Sequence, residues 1–238
     1  MKVLIIAAAG GLGRVLVDMA LEDGHEVTAF VRSADRLREA VGDERFSRVK
    51  VVVGDAEDAS ALQGACEGMD TAIEVMANPP REKAIPALVQ AAEAAGVKNV
   101  VATGGAPALL KLKLPSDAFA KIVEEYGDAI AYYAKTHLQT FKVLSESSLP
   151  AWCEVCPGVI IPARTGKPSG KIGGLADEID WSVPMVTSYQ DTAALMLRVG
   201  ADVAASGFNK QLVGLKNLGG AEKEEGPEEV AEADKGRL

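Results

Sequence analysis

The chain has 238 residues, of which 48% are hydrophobic and 25% charged, a composition typical of a globular protein that needs no disulfide or metal to hold its core. The net charge is -9; the last eighteen residues hold seven acids and three bases, so the tail carries -4 and the body only -5. A mildly acidic body argues against nucleic acid as a general electrostatic partner. No apolar run is long enough to span a membrane.

This length suits one α/β domain of ordinary size, which we place at residues 1–220. Residues 221–238 form an acidic tail with too few apolar side chains to fold, and we expect it to be disordered. The apolar run at the N-terminus is too short for an export signal, so we expect a cytoplasmic protein.

The chain begins with a predicted strand, Val3–Ile6, and a turn of small residues, Ala7–Gly13. An amphipathic helix follows and is predicted to end at Gly24, before a second strand at His25–Val31. Strand, small-residue turn, helix and strand in this order are typical of a nucleotide-binding βαβ unit.

The turn has the pattern A-x-x-G-x-x-G, in which Ala7 stands where the dinucleotide fingerprint has its first glycine. Small residues let a pyrophosphate approach the backbone N–H groups at the open end of a helix, where the dipole favours negative charge. The alternative is an ordinary strand-to-helix turn that binds no nucleotide. We predict cofactor contacts at Ala7, Gly10, Gly11, Leu12 and Gly13.

Arg32 follows the second strand, where an NAD enzyme more often has an acid that holds the ribose hydroxyls. A guanidinium is suited to the 2′-phosphate of NADP. We therefore expect NADP as the cofactor, with NAD as the alternative. If Arg32 does not read the phosphate, Arg36 or Arg14 is the candidate.

Strand and helix patterns continue to alternate along the chain. Predicted strands lie at 49–53, 71–75, 97–102, around Trp152 and at 211–215, and predicted helices at 59–65, 81–95, 116–147 with a break at Gly127, and 189–199. This alternation predicts an α/β fold of the Rossmann type, a doubly wound parallel sheet with helices on both faces. Residues 157–184 are rich in glycine and proline and are the predicted substrate loop.

Cys153 and Cys156 have the C-x-x-C spacing of redox and metal sites. They fall on a predicted strand, where side chains three residues apart point to opposite faces. We therefore expect two small buried hydrophobic side chains, with no disulfide and no metal.

Four segments resemble the atypical, or extended-type, short-chain dehydrogenase/reductases, in particular their single-domain NmrA-like and biliverdin-reductase-B-like members. They are AAAGGLG, VVVGDAEDASAL, VVATGGA and SSLPAWCEVCPGVI, and the resemblance covers residues 1 to about 215. It implies further cofactor contacts near the adenine, at the end of the fourth strand, after the fifth strand and at a nicotinamide-side turn. These are Asp55 and Ala56, Met76 and Ala77, Thr103, and Pro157, Gly158 and Val159. For Asp55, capping of a turn is an equal alternative.

Enzymes of this family use Tyr-x-x-x-Lys on a long helix, together with a Ser or Thr after the fifth strand. Here the helix carries Tyr133 and His137, which share one face, and Thr103 is the best match to the serine. The resemblance implies a catalytic role for all three, and His in place of Lys departs from the pattern. The alternative is that Tyr133 and His137 pack against the sheet with satisfied polar tips, as part of an apolar stripe. Tyr132 and Tyr126 are further candidate proton donors.

We expect an NADP-dependent oxidoreductase that reduces a small carbonyl, quinone, flavin or similar planar substrate. A non-catalytic NAD(P)-binding redox sensor is the alternative, because the lysine is missing. An epimerase- or dehydratase-like enzyme is the third hypothesis. The expected partner is a small-molecule substrate, neither nucleic acid nor membrane, and a homodimer is left open.

Overall fold

The computed structural model of the chain describes residues 1–76, 81–161, 172–175 and 186–216. The strands are β1 (Lys2–Ile6), β2 (Glu26–Val31), β3 (Lys50–Val53), β4 (Thr71–Glu74), β5 (Asn99–Thr103), β6 (Ala151–Cys156), β7 (Val159–Ile161), β8 (Ile172–Gly174), β9 (Val186–Ser188) and β10 (Gln211–Lys216). The helices are α1 (Gly11–Glu22), α2 (Ala34–Phe46), α3 (Ala59–Cys66), α4 (Arg81–Ala95), α5 (Ala106–Lys113), α6 (Ser116–Tyr126), α7 (Asp128–Ser145) and α8 (Tyr189–Ala201).

The main sheet has the strand order β3-β2-β1-β4-β5-β6-β10-β8. Neighbouring strands are parallel except for β8, which runs antiparallel to β10 at the edge. The predicted doubly wound α/β fold is confirmed. From β3 the chain crosses over to β4 on the other side of β1, which creates the switch point where such folds bind ligands.

Each face of the sheet is covered by helices because the strands are apolar on both sides. Val3 and Ile5 of β1 pack into a core with α1, α2 and α8, whereas Leu4 and Ile6 pack into a second core with α3, α4 and α7. α5 and α7 enclose a smaller cluster at the end of β6. The continuous apolar runs are therefore explained by burial on both faces.

Helix ends follow local rules. α1 ends at Glu22, and Gly24 has φ +73°, a left-handed conformation that favours glycine and stops the helix as expected. The long helical region breaks at Gly127, as predicted, into α6 and α7. None of the helices in the described part of the chain is long and apolar enough to cross a membrane.

Two helices and three short strands are not predicted by the sequence patterns. α2 buries only Leu37 and Val41 of its own residues, so its apolar stripe is too narrow to stand out. α5 begins just after two glycines and contains a proline in its first turn. β7 and β8 lie in the predicted substrate loop, whose other residues from 162 onward fall mostly outside the described ranges, as does the tail.

Cys153 and Cys156 lie on opposite faces of β6, as the strand geometry predicts. Cys153 belongs to the core that includes α1 and α8, and Cys156 packs with Ala108 and Leu109 of α5. Both thiols are free and buried. Burial raises the pKa of the Cys153 thiol to about 12, which suits an inert packing residue.

Candidate functional site

A cleft of about 1030 Å³ opens at the carboxyl ends of β1, β2, β3 and β4. This is the size of cavity that holds a small-molecule ligand or cofactor. Nine of the residues predicted to contact a cofactor line it. They are Ala7, Gly10, Gly11, Leu12, Arg32, Asp55, Ala56, Met76 and Thr103. The structure thus brings together residues that are up to 96 positions apart in the sequence, since Ala7 and Thr103 share one wall.

The glycine turn leads directly into α1. Gly10 is the N-cap of this 12-residue helix and offers no side chain to its first N–H groups. A Cβ on Gly11 would lie 2.8 Å from the hydroxyl oxygen of Tyr189, so a larger residue here would collide with the cleft wall. Uncapped N–H groups at a helix N-terminus form a binding site for an anion such as a pyrophosphate. The residues present therefore fit a dinucleotide.

Gly13 has a packing role instead. It does not line the cleft, and a Cβ on it would lie 2.4 Å from the carbonyl oxygen of Ala7 and 2.8 Å from backbone atoms of Ala8. Its absent side chain lets α1 approach the end of β1. This is the role of the third glycine in dinucleotide-binding turns.

Two arginines reach the cleft where β2 runs into α2. Arg32 and Arg36 both line it, and both are exposed. Neither forms an ion pair with another described residue, although Glu39 lines the cleft one turn beyond Arg36. Arg14 is exposed and does not line the cleft. Arg32 and Arg36 are therefore the candidates for holding a second anionic group.

Asp55 caps a turn and also lines the cleft, so its contact with an adenine stays a prediction. Its Oδ1 accepts a hydrogen bond from the backbone N–H of Glu57 at 3.0 Å, which is a turn-capping contact, and the residue also lines the cleft. The preceding Gly54 lies against Phe30, because a Cβ there would be 2.7 Å from the ring. Phe30 and Gly54 thus shape the wall on which Asp55 lies.

Two other predicted contacts, Pro157 and Gly158, do not line the cleft. Pro157 and Gly158 follow β6, and the carbonyl of Pro157 accepts a hydrogen bond from the N–H of Ala106 at 2.9 Å. This bond ties the end of β6 to the start of α5. Val159 begins β7, and Ala77 lies outside the described residues.

Tyr133 and His137 lie one turn apart on α7. Their rings are stacked with centroids 6.4 Å apart, but Tyr133 is 38% exposed whereas His137 is only 7% exposed. Neither lines the cleft. His137 instead packs against Gly105, because a Cβ on Gly105 would lie 2.9 Å from Cδ2 and 3.0 Å from Nε2 of His137.

The packed-stripe interpretation describes the burial of His137 but not Tyr133. His137 is buried with Ala134 and Leu144 of the stripe, whereas Tyr133 lies at the surface, in edge contact with the exposed Tyr132. The Nδ1 atom of His137 is buried without a hydrogen-bond partner, so its polar tip is not satisfied. The side chain of Tyr126 is outside what the structure describes.

Thr103 closes the inner end of the cleft. Its hydroxyl donates to the carbonyl oxygen of Glu74 at 2.7 Å, and its N–H donates to the Glu74 carboxyl at 3.3 Å. Because a hydroxyl has one proton, in this arrangement Thr103 can only accept a hydrogen bond from a ligand.

Behind Thr103 lies a group of buried charged residues that the sequence patterns do not predict. Glu74, Arg81 and Glu154 each have 0% of their surface exposed. Arg81 forms an ion pair with Glu74 at 2.8 Å, and its other N–H groups donate to the carbonyl oxygens of Met76 and Thr103 and to the hydroxyl of Thr140. Arg81 therefore joins the ends of β4 and β5 to α7.

Burial dominates the electrostatics of this group. It raises the pKa of Glu74 above that of an ordinary carboxyl, an effect that the Arg81 guanidinium partly opposes. It raises the pKa of Glu154 well above the ordinary value, again against the influence of Arg81. It lowers the pKa of His137 to about 3, and the charge of Arg81 acts in the same direction.

A signal for these residues does exist in the sequence. Glu74 and Glu154 are acids within otherwise apolar predicted strands, TAIE and WCEVC. When both faces of a parallel sheet are buried, an acidic side chain on one of its strands must be paired or protonated. For Glu154 the neighbouring polar group cannot be read from spacing, because it is His137 of α7 that approaches it.

Comparison with known proteins agrees with a nucleotide-binding role for this cleft. A family model described as NAD(P)H-binding matches residues 7–202. No curated protein matches the chain.

Solved structures share the fold at low identity. Anaerobillin reductase ChuY from Escherichia coli O157:H7 is 22% identical, with a TM-score of 0.70 over 93% of this chain and 99% of its own. A short-chain dehydrogenase/reductase from Veillonella parvula is 16% identical, with a TM-score of 0.69 over 92% and 94%. The oxidoreductase ylbE from Lactococcus lactis is 19% identical, with a TM-score of 0.67 over 91% of each chain.

Proposed function

We propose that this chain, which belongs to the NAD(P)H-binding family, is an NADP-dependent reductase of a small planar substrate, of the atypical short-chain dehydrogenase/reductase type. The observation that carries the proposal is the cleft itself. It has an uncapped helix N-terminus at Gly10 on one side, Arg32 and Arg36 at one end, and Thr103 at the other. Carbonyl, quinone and flavin compounds are the candidate substrates. We also propose a cytoplasmic location.

Selection of NADP rests on the two arginines of the cleft. A guanidinium that faces a 2′-phosphate forms charge-assisted hydrogen bonds worth about 1.5–3 kcal/mol, which corresponds to roughly 10-fold to 100-fold in affinity. NAD lacks this phosphate. With Arg32 and Arg36 exposed and without an ion-pair partner among the described residues, their charge is available for the phosphate.

A charge-matched pair of variants tests this assignment. Arg32→Asp should lower the preference for NADPH over NADH by about 10-fold or more. Arg38→Asp is the control, because Arg38 lies outside the cleft and over the ring of Phe46, yet the net charge changes equally. If Arg32→Asp selects NADPH as strongly as the parent, Arg36 is the next residue to replace.

A dihydronicotinamide held in this cleft would supply a hydride, and one proton would then complete a two-electron reduction of a C=O, C=N or conjugated C=C group. Tyr133 is the proposed source of that proton, since its ring stacks on His137 and reaches solvent. His137, whose pKa burial lowers to about 3, is proposed to donate a hydrogen bond rather than a proton. The exposed Tyr133 can recover a proton from water. Thr103 is proposed to accept a hydrogen bond from the substrate or cofactor.

The test of catalysis is NADPH oxidation by the full chain with a panel of quinones, flavins, aldehydes and anaerobillin. Anaerobillin is included because the similar ChuY structure is called an anaerobillin reductase. We expect turnover with at least one class. Tight NADPH binding without turnover of any class would contradict the proposal.

A redox sensor is the second candidate, and one observation favours it. His137 stands where the family's active enzymes have lysine, and it does not line the cleft. A partner captured by the full chain with an affinity that differs between NADP and NADPH would support the sensor. A monodisperse chain without a partner in both states would argue against it.

A further inference from the structure

Two buried acids share one buried cation at the inner end of the cleft. Arg81 is engaged by Glu74 at 2.8 Å and 2.9 Å, and by backbone and hydroxyl oxygens. Glu154 lies on β6, on the other side of β5 from Glu74. It is equally buried but receives no hydrogen bond from Arg81. One positive charge can compensate one carboxylate. The second carboxyl must therefore find another way to avoid an uncompensated buried charge.

The atoms without partners lie next to each other. Both carboxyl oxygens of Glu154 and the Nδ1 atom of His137 are buried and lack a hydrogen-bond partner among the described residues. Glu154 Oε1 and His137 Nδ1 are 3.7 Å apart, which is longer than a hydrogen bond but within reach of a small side-chain rotation. A single proton placed between them would satisfy one atom of each residue.

The two glycines after Thr103 make room for this pair. A Cβ on Gly104 would lie 2.8 Å from Cγ and 3.0 Å from Oε1 of Glu154. A Cβ on Gly105 would lie 3.0 Å from Nε2 of His137. The backbone of Gly104–Gly105 is therefore packed directly on the carboxyl and the imidazole, which fixes both against the end of β5.

We propose that Glu154 is a positioning residue, a protonated carboxyl that donates to Nδ1 of His137 and so holds the imidazole as its Nε2–H tautomer. Both side chains are then neutral and no charge is left unpaired. The proton remains covalently bound to the carboxyl oxygen of Glu154, so forming the pair breaks no bond. The N–H of Nε2 is directed towards Gly105, at the inner end of the site.

The surrounding groups favour this state. Arg81 of α4 and Glu74 of β4 compensate each other, and the Cys156 thiol of β6 is held neutral because burial raises its pKa well above the ordinary value. The raised pKa of Glu154 and the pKa of about 3 for His137 act in the same sense, towards two neutral partners. A carboxylate–imidazolium pair would instead place both charges in a site that desolvates them.

The consequence for the site rests on the proposed reductase function. A fixed Nε2–H makes His137 a hydrogen-bond donor throughout the neutral pH range. The lysine of the family's enzymes would also be a donor, as an ammonium group. The pairing between Glu154 and His137 does not itself depend on turnover. It can be measured without cofactor or substrate.

The direct test is long-range ¹H–¹⁵N NMR of the full chain labelled at histidine nitrogens. The chain has only two histidines, so His25→Gln assigns the signals of His137. We expect Nε2 protonated and Nδ1 unprotonated, without change between about pH 5 and pH 8. An imidazolium at neutral pH, or protonation at Nδ1, would overturn the proposal.

Two substitutions separate hydrogen bonding from packing. Glu154→Gln keeps a donor, so the Nε2–H tautomer should persist, whereas Glu154→Leu removes the donor and should give a mixture of tautomers. If Glu154→Leu keeps the pure Nε2–H form, Glu154 does not set the tautomer and the proposal fails. Because the wild-type spectrum is itself diagnostic, a variant that does not fold leaves the test intact.

Kinetics provide an independent measurement once a substrate is known. Glu154→Leu should lower kcat by on the order of 10²-fold with the Kd for NADPH unchanged, and Glu154→Gln should lose less. Absence of turnover in the wild type would refute the reductase function, while the NMR result would still decide the pairing.

Discussion

Replacing Arg81 with methionine should destabilise the protein strongly and in a pH-dependent way. The substitution keeps an unbranched side chain of similar length but removes the ion pair with Glu74 and the donors to Met76, Thr103 and Thr140. Removing one partner of a fully buried pair typically costs about 3–5 kcal/mol, since the other charge stays buried without compensation. In a domain of this size that corresponds to a fall in Tm of roughly 6–20 °C.

The pH dependence follows from the carboxyl left behind. Burial raises the pKa of Glu74 in the folded chain, and Arg81 opposes that rise, so the pKa should be higher still in Arg81→Met. A raised folded-state pKa gives stability that is complete below the unfolded pKa and is lost as the pH rises through the folded value. The variant should therefore be closer to the parent at about pH 5 than at about pH 8.

Urea unfolding followed by circular dichroism at the two pH values measures both effects. The double variant Glu74→Gln/Arg81→Met should recover part of the loss, because no charge then remains to be compensated. Arg45→Met is the control, since Arg45 pairs with Asp18 at 2.8 Å on the surface and should cost at most about 1 kcal/mol. A loss below about 1 kcal/mol for Arg81→Met, or an equal loss at both pH values, would refute the reasoning.

Three further predictions concern the glycine turn and the thiols. Gly13→Ala should destabilise the fold and abolish cofactor binding, because its Cβ would meet backbone atoms of Ala7 and Ala8 at 2.4–2.8 Å. The control Gly64→Ala in α3 has open space and should stabilise the chain by about 0.5–1 kcal/mol in thermal unfolding. Ala7→Gly should preserve NADPH affinity and raise stability by up to about 1 kcal/mol, since Ala7 has φ +66°; a loss of stability would show that the conformation is not strained. The Cys153 thiol should resist a thiol reagent in the native chain and react after unfolding; fast labelling of native protein would contradict its burial.

Much of the fold could be predicted from the sequence because its signals are local. The strands at Val3–Ile6 and around Trp152 are apolar runs that both faces of the sheet bury, and the breaks at Gly24 and Gly127 follow from positive φ. The helix α2 could not be predicted from periodicity, because only two of its residues are buried. A helix that buries few of its residues has few apolar positions, so its hydrophobic periodicity is weak.

The candidate site also has a part that could be predicted from the sequence and a part that could not. The turn from Ala7 to Gly13 is contiguous, so its role could be predicted from spacing. Glu74 and Arg81 are only seven residues apart, at the end of β4 and the start of α4. The approach of Glu154 to His137 instead depends on how α7 packs at the end of β6. No spacing rule gives such a contact. The local signal, an acid in an apolar strand, indicates only that a partner must exist.

The most direct test of the central claim is a calorimetric titration of the full chain with NADPH and with NADH at the same ionic strength. The account predicts that both bind in the cleft at the end of α1 and that NADPH binds roughly 10-fold to 100-fold more tightly, owing to the 2′-phosphate contact with Arg32. Equal affinities, or tighter binding of NADH, would contradict it.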